Sequence, residues 1–183
     1  MSRPQCFSNP ALTLWLAVAA LLIFVFLSGW FVWQLRPSRV LEKRQASLIE
    51  GIEKRSASRI GRLVSDDYSD RWGFTREDSI EAILDVGSQF FSLVLFSKNQ
   101  QISVDGDWAV IRVHLELSGK PVGPAGNEAT RRLNRLESPF EFTWKKQSFL
   151  PTSWELVMIE NAELPDDLYG YEPGDIRRAL NGQ

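Results

Sequence analysis

Residues 11–35, ALTLWLAVAALLIFVFLSGWFVWQL, hold no charged side chain, and that run constrains the chain more than any other stretch. A helix rises about 1.5 Å per residue, so about 20 residues cross the ~30 Å hydrocarbon layer of a bilayer. The run exceeds that length with room for tilt, and we read it as a retained single membrane span. A cleaved secretory signal has a shorter apolar stretch, about 7–15 residues, and ends at a small-x-small site. Here the cut would fall within Leu27-Ser28-Gly29-Trp30-Phe31-Val32-Trp33, which is bulky and aromatic. Trp15 near one end and Trp30 and Trp33 near the other are placed like the interfacial rings that anchor a span at headgroup depth.

Lys and Arg near the ends of a span favour the cytoplasmic side. Arg3 alone precedes the run, whereas Arg36, Arg39, Lys43 and Arg44 come after it. The expectation is a single-pass protein of the cell (inner) membrane with its C-terminal domain facing the cytoplasm, although short N-terminal anchors also translocate large domains against such charge. Residues 36–47 then form a juxtamembrane basic helix or linker, with the bilayer as partner; each such charge attracts anionic lipid by about 1 kcal/mol. A solvated helix face accounts for the same residues. Cys6 is the only cysteine and precedes the run, so the domain holds no internal disulfide. It is also placed where acylation occurs in membrane proteins.

The rest of the chain reads as one domain of about 140 residues, near the commonest domain size. A net charge of −2 and an isoelectric point near 5.5 argue against a general nucleic-acid binder, which needs a strongly basic face. Leu41, Leu48, Ile49, Ile52, Ile60, Leu63 and Val64 fall largely on one helical stripe, which predicts a long amphipathic helix over 40–64 with a break between Ser56 and Ser58. Thr75 with Asp78 three places on is a capping box, and it predicts a second helix with Ile80, Ile83 and Leu84 on its apolar face.

After Gly87 the apolar period changes to two. Residues 90–96 and 100–104 read as strands, Asp105-Gly106-Asp107 as a hairpin turn, and 108–117 as a strand with Ala109, Ile111, Val113, Leu115 and Leu117 on one face. Residues 118–127, SGKPVGPAGN, read as a flexible loop without phosphate-binding spacing, and 128–136 as a short helical turn. Two further strands are expected: 139–147, with Phe140, Phe142 and Trp144 on one face, and 153–160. The fold class is therefore α+β, with two or three helices on a curved antiparallel sheet of four to six strands. The expected divisions are a tail at 1–10, the span at 11–35, the basic linker at 36–47, the domain at 48–163 and an acidic tail at 164–183.

Three stretches, LVSDDYSDRWGFTREDSIEAIL, ISVDGDWAVIRVHLEL and FEFTWKKQSFLPTSWELVMIE, taken in this order, resemble the nuclear transport factor 2-like superfamily. This is the cone-shaped, cystatin-like fold shared with ketosteroid isomerases and polyketide cyclases, and the resemblance covers about residues 45–161. The resemblance implies a pocket between sheet and helices and a habit of pairing sheet faces into homodimers. It does not imply catalysis, because such folds host enzymes, binders and adaptors alike. In the isomerase-like members a carboxylate base and a hydroxyl donor face each other in an apolar cone. Asp70 lies near where that base would come and Tyr68 is close by, but Asp70-Arg71-Trp72-Gly73 departs from the expected Asp-Pro pattern. The competing reading makes Tyr68 and Trp72, with Phe91 and Trp144, the residues that line or plug the pocket.

His114, flanked on its strand face by Arg112 and Glu116, reads as a solvated or dimer-facing side chain. Asp66-Asp67 and Asp166-Asp167 lack metal-ligand spacing, and no motif calls for a cofactor. Two classes of function remain. The first is a membrane-anchored noncatalytic module engaging a partner protein or a small apolar ligand; one version resembles the bitopic assembly factors of type IV secretion, whose domain is periplasmic. The second is a tethered isomerase- or cyclase-like enzyme with Asp70 as general base. An accessible pocket lined by Asp70 favours the enzyme, and a pocket filled by Phe91, Trp72 and Trp144 favours the scaffold.

Overall fold

The computed structural model describes residues 21–29, 36–176 and 178. The expected span at 11–35, with Trp15, Trp30 and Trp33, lies outside the described residues except for 21–29, which are helical and exposed. Among the described residues no helix is long and apolar enough to cross a membrane. The chain divides into two compact units, residues 1–36 and 37–183, and the second carries the helices and the sheet of the domain.

Helix α1 runs Pro37–Glu53, and its stripe of Val40, Leu41, Leu48 and Ile49 is buried together with Gln45. Of the two readings of residues 36–47, helix or linker, the structure has the helix from Pro37 on, and because its first two turns carry the buried Val40 and Leu41, the packed domain begins about ten residues before residue 48. The break expected near Ser56 falls at Lys54–Ser56, where Arg55 takes a left-handed φ of 52°. A short helix α2, Ala57–Gly61, buries Ile60. Helix α3, Arg76–Ser88, opens on the expected capping box, with the Thr75 hydroxyl accepting from Asp78 N–H and the Asp78 carboxylate accepting from Thr75 N–H.

Four antiparallel strands come next as a meander: β1 Phe90–Asp105, β2 Trp108–Pro121, β3 Phe140–Lys146 and β4 Trp154–Asn161. The two strands expected at 90–96 and 100–104 are one, because a bulge between Lys98 and Gln101, with Asn99 at φ 54°, absorbs the irregularity without ending the ladder. Gly106 turns the β1–β2 hairpin at φ 57°. The loop expected at 118–127 is also corrected. Strand β2 continues to Pro121 and helix α4, Pro124–Leu133, begins shortly after it with Pro at its first turn, where the missing N–H is not needed.

The inward row of β2 is as expected: Ala109, Ile111, Val113 and Leu117 are buried. Beyond β4 the segment after α2 adds a parallel bridge at Val64–Leu156, and Ser65 N–H and Ser69 N–H donate to the carbonyls of Leu156 and Val157. That pairing fixes Tyr68 and Asp70 against the sheet. Two apolar clusters result. The larger joins Leu41, Leu48, Ile60, Ile111, Phe142, Trp144, Trp154 and Leu156, and the smaller is built on Phe90, Leu93 and Leu117.

Candidate functional site

Between the two clusters lies a cavity of about 360 Å³, walled by residues of both. Strands β1 and β2 present Leu93, Leu95, Leu115 and Leu117 to it, α3 presents Ala82, Ile83 and Val86, and the loop before α3 presents Tyr68, Asp70, Trp72 and Phe74. Strand alternation explains the first wall: residues two apart share a face, and these four leucines share the inward one.

The polar end of the cavity is a closed hydrogen-bonded turn. Asp70 Oδ1 accepts from the backbone N–H groups of Trp72 and Phe74, each at 3.0 Å, and Oδ2 accepts from the Tyr68 hydroxyl at 3.0 Å. A carboxylate accepting backbone N–H groups two and four residues ahead is the device by which Asp organises a turn. Asp70 is 9% exposed, and burial raises its pKa against the opposing pull of its hydrogen-bond donors, the N–H of Phe74, the Tyr68 hydroxyl, the N–H of Trp72 and its own N–H. Tyr68 is buried and its phenol is also raised, first by burial and then by the Asp70 charge.

The segment expected to be an acidic tail closes the other side. Leu164, Leu168, Tyr169 and Tyr171 line the cavity. The segment is pinned at both ends: Arg71 Nε donates to Asp166 Oδ1 at 3.0 Å, Trp72 Nε1 donates to the Pro165 carbonyl at 3.0 Å, and the Tyr171 hydroxyl donates to Asp85 Oδ2 at 3.0 Å. The Arg132 guanidinium lies 4.0 Å from the centre of the Tyr169 ring. Between the pins Leu168, Tyr169 and Gly170 are all left-handed, at φ 43°, 63° and 74°. Burial raises the Tyr171 phenol, and its bond to Asp85 adds to the shift.

The structure therefore brings Tyr68, Asp70 and Trp72 together on one cavity and leaves out Phe91 and Trp144. Phe91 is 66% exposed: Phe90 takes the inward place, and Phe91 lies outside with its ring 5.6 Å from the Lys120 ammonium. Trp144 is fully buried, but in the larger cluster, where its indole N–H donates to Gln45 Oε1 at 3.3 Å. Neither plugs the cavity. His114 lies away from it. Its Nε2 is 2.9 Å from the Glu137 carbonyl, which can only accept, so Nε2 carries the proton. Among the described residues no group of three or more His, Cys, Asp and Glu is placed to hold a metal ion. The tail residues were the ones missed from sequence; the signal was an apolar and aromatic set, Leu164, Leu168, Tyr169 and Tyr171, within an acidic stretch.

No protein-family model matches the chain. No curated protein matches its sequence. Solved structures share its fold. A hexachlorocyclohexane dehydrochlorinase, LinA-type3 from Novosphingobium barchaimii LL02, matches with TM-score 0.51 and 12% identity over 68% of this chain and 84% of that one. Bd1075 of Bdellovibrio bacteriovorus matches with TM-score 0.51 and 9% identity over 67% of this chain, which spans 40% of the length of Bd1075. A nuclear transport factor 2-like protein from Cytophaga hutchinsonii matches with TM-score 0.48 and 16% identity over 68% of this chain and 95% of that one. What is shared at such identities is the fold, a curled antiparallel sheet closed by helices.

Proposed function

We propose that residues 37–183 form a binding module for a small, largely apolar molecule, held in the cavity between α3 and the inward leucines of β1 and β2. The observation that carries this reading is the cavity itself: about 360 Å³ of space with Asp70 and Tyr68 at one end and apolar walls, aliphatic and aromatic, elsewhere. Apolar concave sites with a few placed polar groups are where small ligands bind. The dehydrochlorinase that shares the fold is named for a small apolar ring compound, and a ligand of that character would suit such walls. The uncharged run at 11–35 would tether the module to a membrane. The side it occupies, and a protein partner or second copy on the outer sheet face, belong to the same proposal. A reporter fused to the C-terminus reads the side.

The binding test is the fluorescence of N-phenyl-1-naphthylamine, which brightens in apolar cavities. The full chain should bind it saturably, and Ala82→Phe, which places a ring in the cavity from α3, should abolish binding while the fold persists. Saturable binding that Ala82→Phe leaves unchanged would move the site elsewhere and end this reading.

A second reading, an enzyme with Asp70 as general base, has two observations in its favour, the first being that the cavity is lined by Asp70 and filled by neither Phe91 nor Trp144. The second is a carboxyl raised by burial at the end of an apolar cavity, the setting of a general base. Against it, the Asp70 carboxylate already closes the 70–74 turn through three donors. Asp70→Asn separates the two by degree: an enzyme loses its biological role outright, and a binding module keeps that role with its ligand held more weakly.

A further inference from the structure

We infer that the cavity selects apolar molecules whose polar group donates a hydrogen bond, a hydroxyl in its simplest form, and discriminates against those whose polar group only accepts. This rests on the binding reading above and names the ligand class of the same site. The side-chain donors on the walls are few, and almost all have partners. Tyr68 donates to Asp70 Oδ2 at 3.0 Å and Trp72 Nε1 to the Pro165 carbonyl at 3.0 Å. Ser79 Oγ donates to the Arg76 carbonyl at 2.9 Å, and Tyr171 to Asp85 Oδ2 at 3.0 Å. Each of these four donors is already spent within the protein. The remaining hydroxyl among the lining residues belongs to Tyr169, which is 60% exposed at the rim with its ring against Arg132.

The acceptor side is different. A carboxylate offers about four acceptor positions. Trp72 and Phe74 use Oδ1 and Tyr68 takes one position of Oδ2, which leaves Oδ2 able to accept again. A ligand hydroxyl can take that position, and a hydrogen bond to a charged acceptor is worth about tenfold or more in affinity. A ketone or ether that enters the cavity gives up its water and finds no uncommitted donor among the buried groups, the Tyr169 hydroxyl lying at the rim. To gain one it must break an existing bond, for example that of Tyr171, which would leave the fully buried Asp85 one donor short. The same shortage of donors bears on the general-base reading: proton abstraction beside a carbonyl needs a donor for the developing oxyanion, and the buried ones are taken.

Three probes with the same ring test the inference by isothermal titration calorimetry on the full chain at neutral pH: 2-naphthol, which donates, and 2-methoxynaphthalene and 2-acetylnaphthalene, which only accept. The expected result is 2-naphthol at least about tenfold tighter than either, with Asp70→Asn, whose amide puts an N–H donor where Oδ2 stood, abolishing or reversing the preference. Tyr68→Phe, which leaves the carboxylate in place, should keep the preference. Equal affinities in the native chain, or a preference there for the ketone, overturn the inference while the binding reading stands. A preference that Tyr68→Phe abolishes also overturns it, because the acceptor would then be the phenol oxygen. If none of the three binds, the binding reading itself falls.

Discussion

The same sheet is solid beneath α1 and hollow beneath α3. Under α1 the inward positions of β3 and β4 carry Trp144, Trp154 and Leu156, all at 1% exposure or less, which share one cluster with Leu41 and Leu48, and none of these five lines the cavity. Under α3 the inward positions are Leu93 and Leu95 of β1 and Leu115 and Leu117 of β2, and the helix facing them offers Ala82, Ile83, Val86 and Gly87. Strand alternation is equally good in both halves, so the pattern of apolar residues does not separate them. Their size does. Two indoles on the strands fill one half; in the other the facing strand and helix positions carry leucines, an alanine and a glycine, and the rings sit on the loop before α3 and the closing segment, which leaves a cavity between them.

The comparison breaks first at Trp144. Trp144→Ala removes a fully buried ring and leaves Gln45 Oε1 without its donor, and the expected loss is about 3–5 kcal/mol by urea denaturation. Leu115→Ala, on the cavity wall, should cost about 2 kcal/mol or less, because on its cavity side the leucine has no packed neighbours to lose. Equal losses at the two positions would mean that the hollow half is as tightly packed as the solid one.

Next in size is the polar end. Asp70→Ala leaves the N–H groups of Trp72 and Phe74 and the Tyr68 hydroxyl without their acceptor, and should destabilise by about 1–3 kcal/mol. Asp70→Asn keeps an oxygen for the two N–H groups and should cost less. If alanine proves as mild as asparagine, the carboxylate is not what holds the 70–74 turn.

The elements of both halves were legible in the sequence, and the cavity between them was not. The capping box at Thr75 and Asp78, the turn at Gly106 and the inward row of β2 are local patterns whose physics is complete within a few residues. Tyr68 and Trp72 could be nominated as pocket residues from position, but Phe91 could not be told from Phe90, because a register shift between Phe90 and Ser92 decides which ring turns inward. Trp144 has the correct strand face and the wrong half of the sheet, a distinction set by which helix crosses over it. Tyr171 reaches Asp85 across 86 residues of chain, and nothing in either neighbourhood signals the other. A cavity is a deficit of volume among distant elements, and a sequence pattern carries face but not volume.

A smaller effect tests the closing segment. Tyr171→Phe removes the hydroxyl that reaches Asp85 and should cost about 1 kcal/mol. Because it loosens one pin of the segment over the cavity, it should also speed release of N-phenyl-1-naphthylamine in stopped-flow displacement more than it weakens the fold. A variant in the solid half with the same stability loss should leave the release rate unchanged. If both variants release the probe alike, the segment tracks global stability and does not close the cavity.

The smallest effect is in pH, and its sign is fixed by burial. The folded chain holds the Asp70 proton more tightly than the unfolded chain does, because burial raises the carboxyl. Well below about pH 4, the ordinary value for an aspartic acid, Asp70 is neutral in both states and contributes no dependence. As pH rises through that value the unfolded chain loses its proton first, so the folded state binds more protons and stability falls. The fall ends once pH has passed the raised folded value. Asp70→Asn cannot titrate, so its stability relative to the native chain should climb as pH rises above about 4 and level off once pH has passed the raised folded value. Leu115→Ala, which leaves the carboxyl in place, should keep a constant offset from the native chain over the same range. Urea denaturation at several pH values reads both. A relative stability of Asp70→Asn that falls instead would mean that its donors outweigh burial, with Asp70 held below its ordinary value in the folded chain.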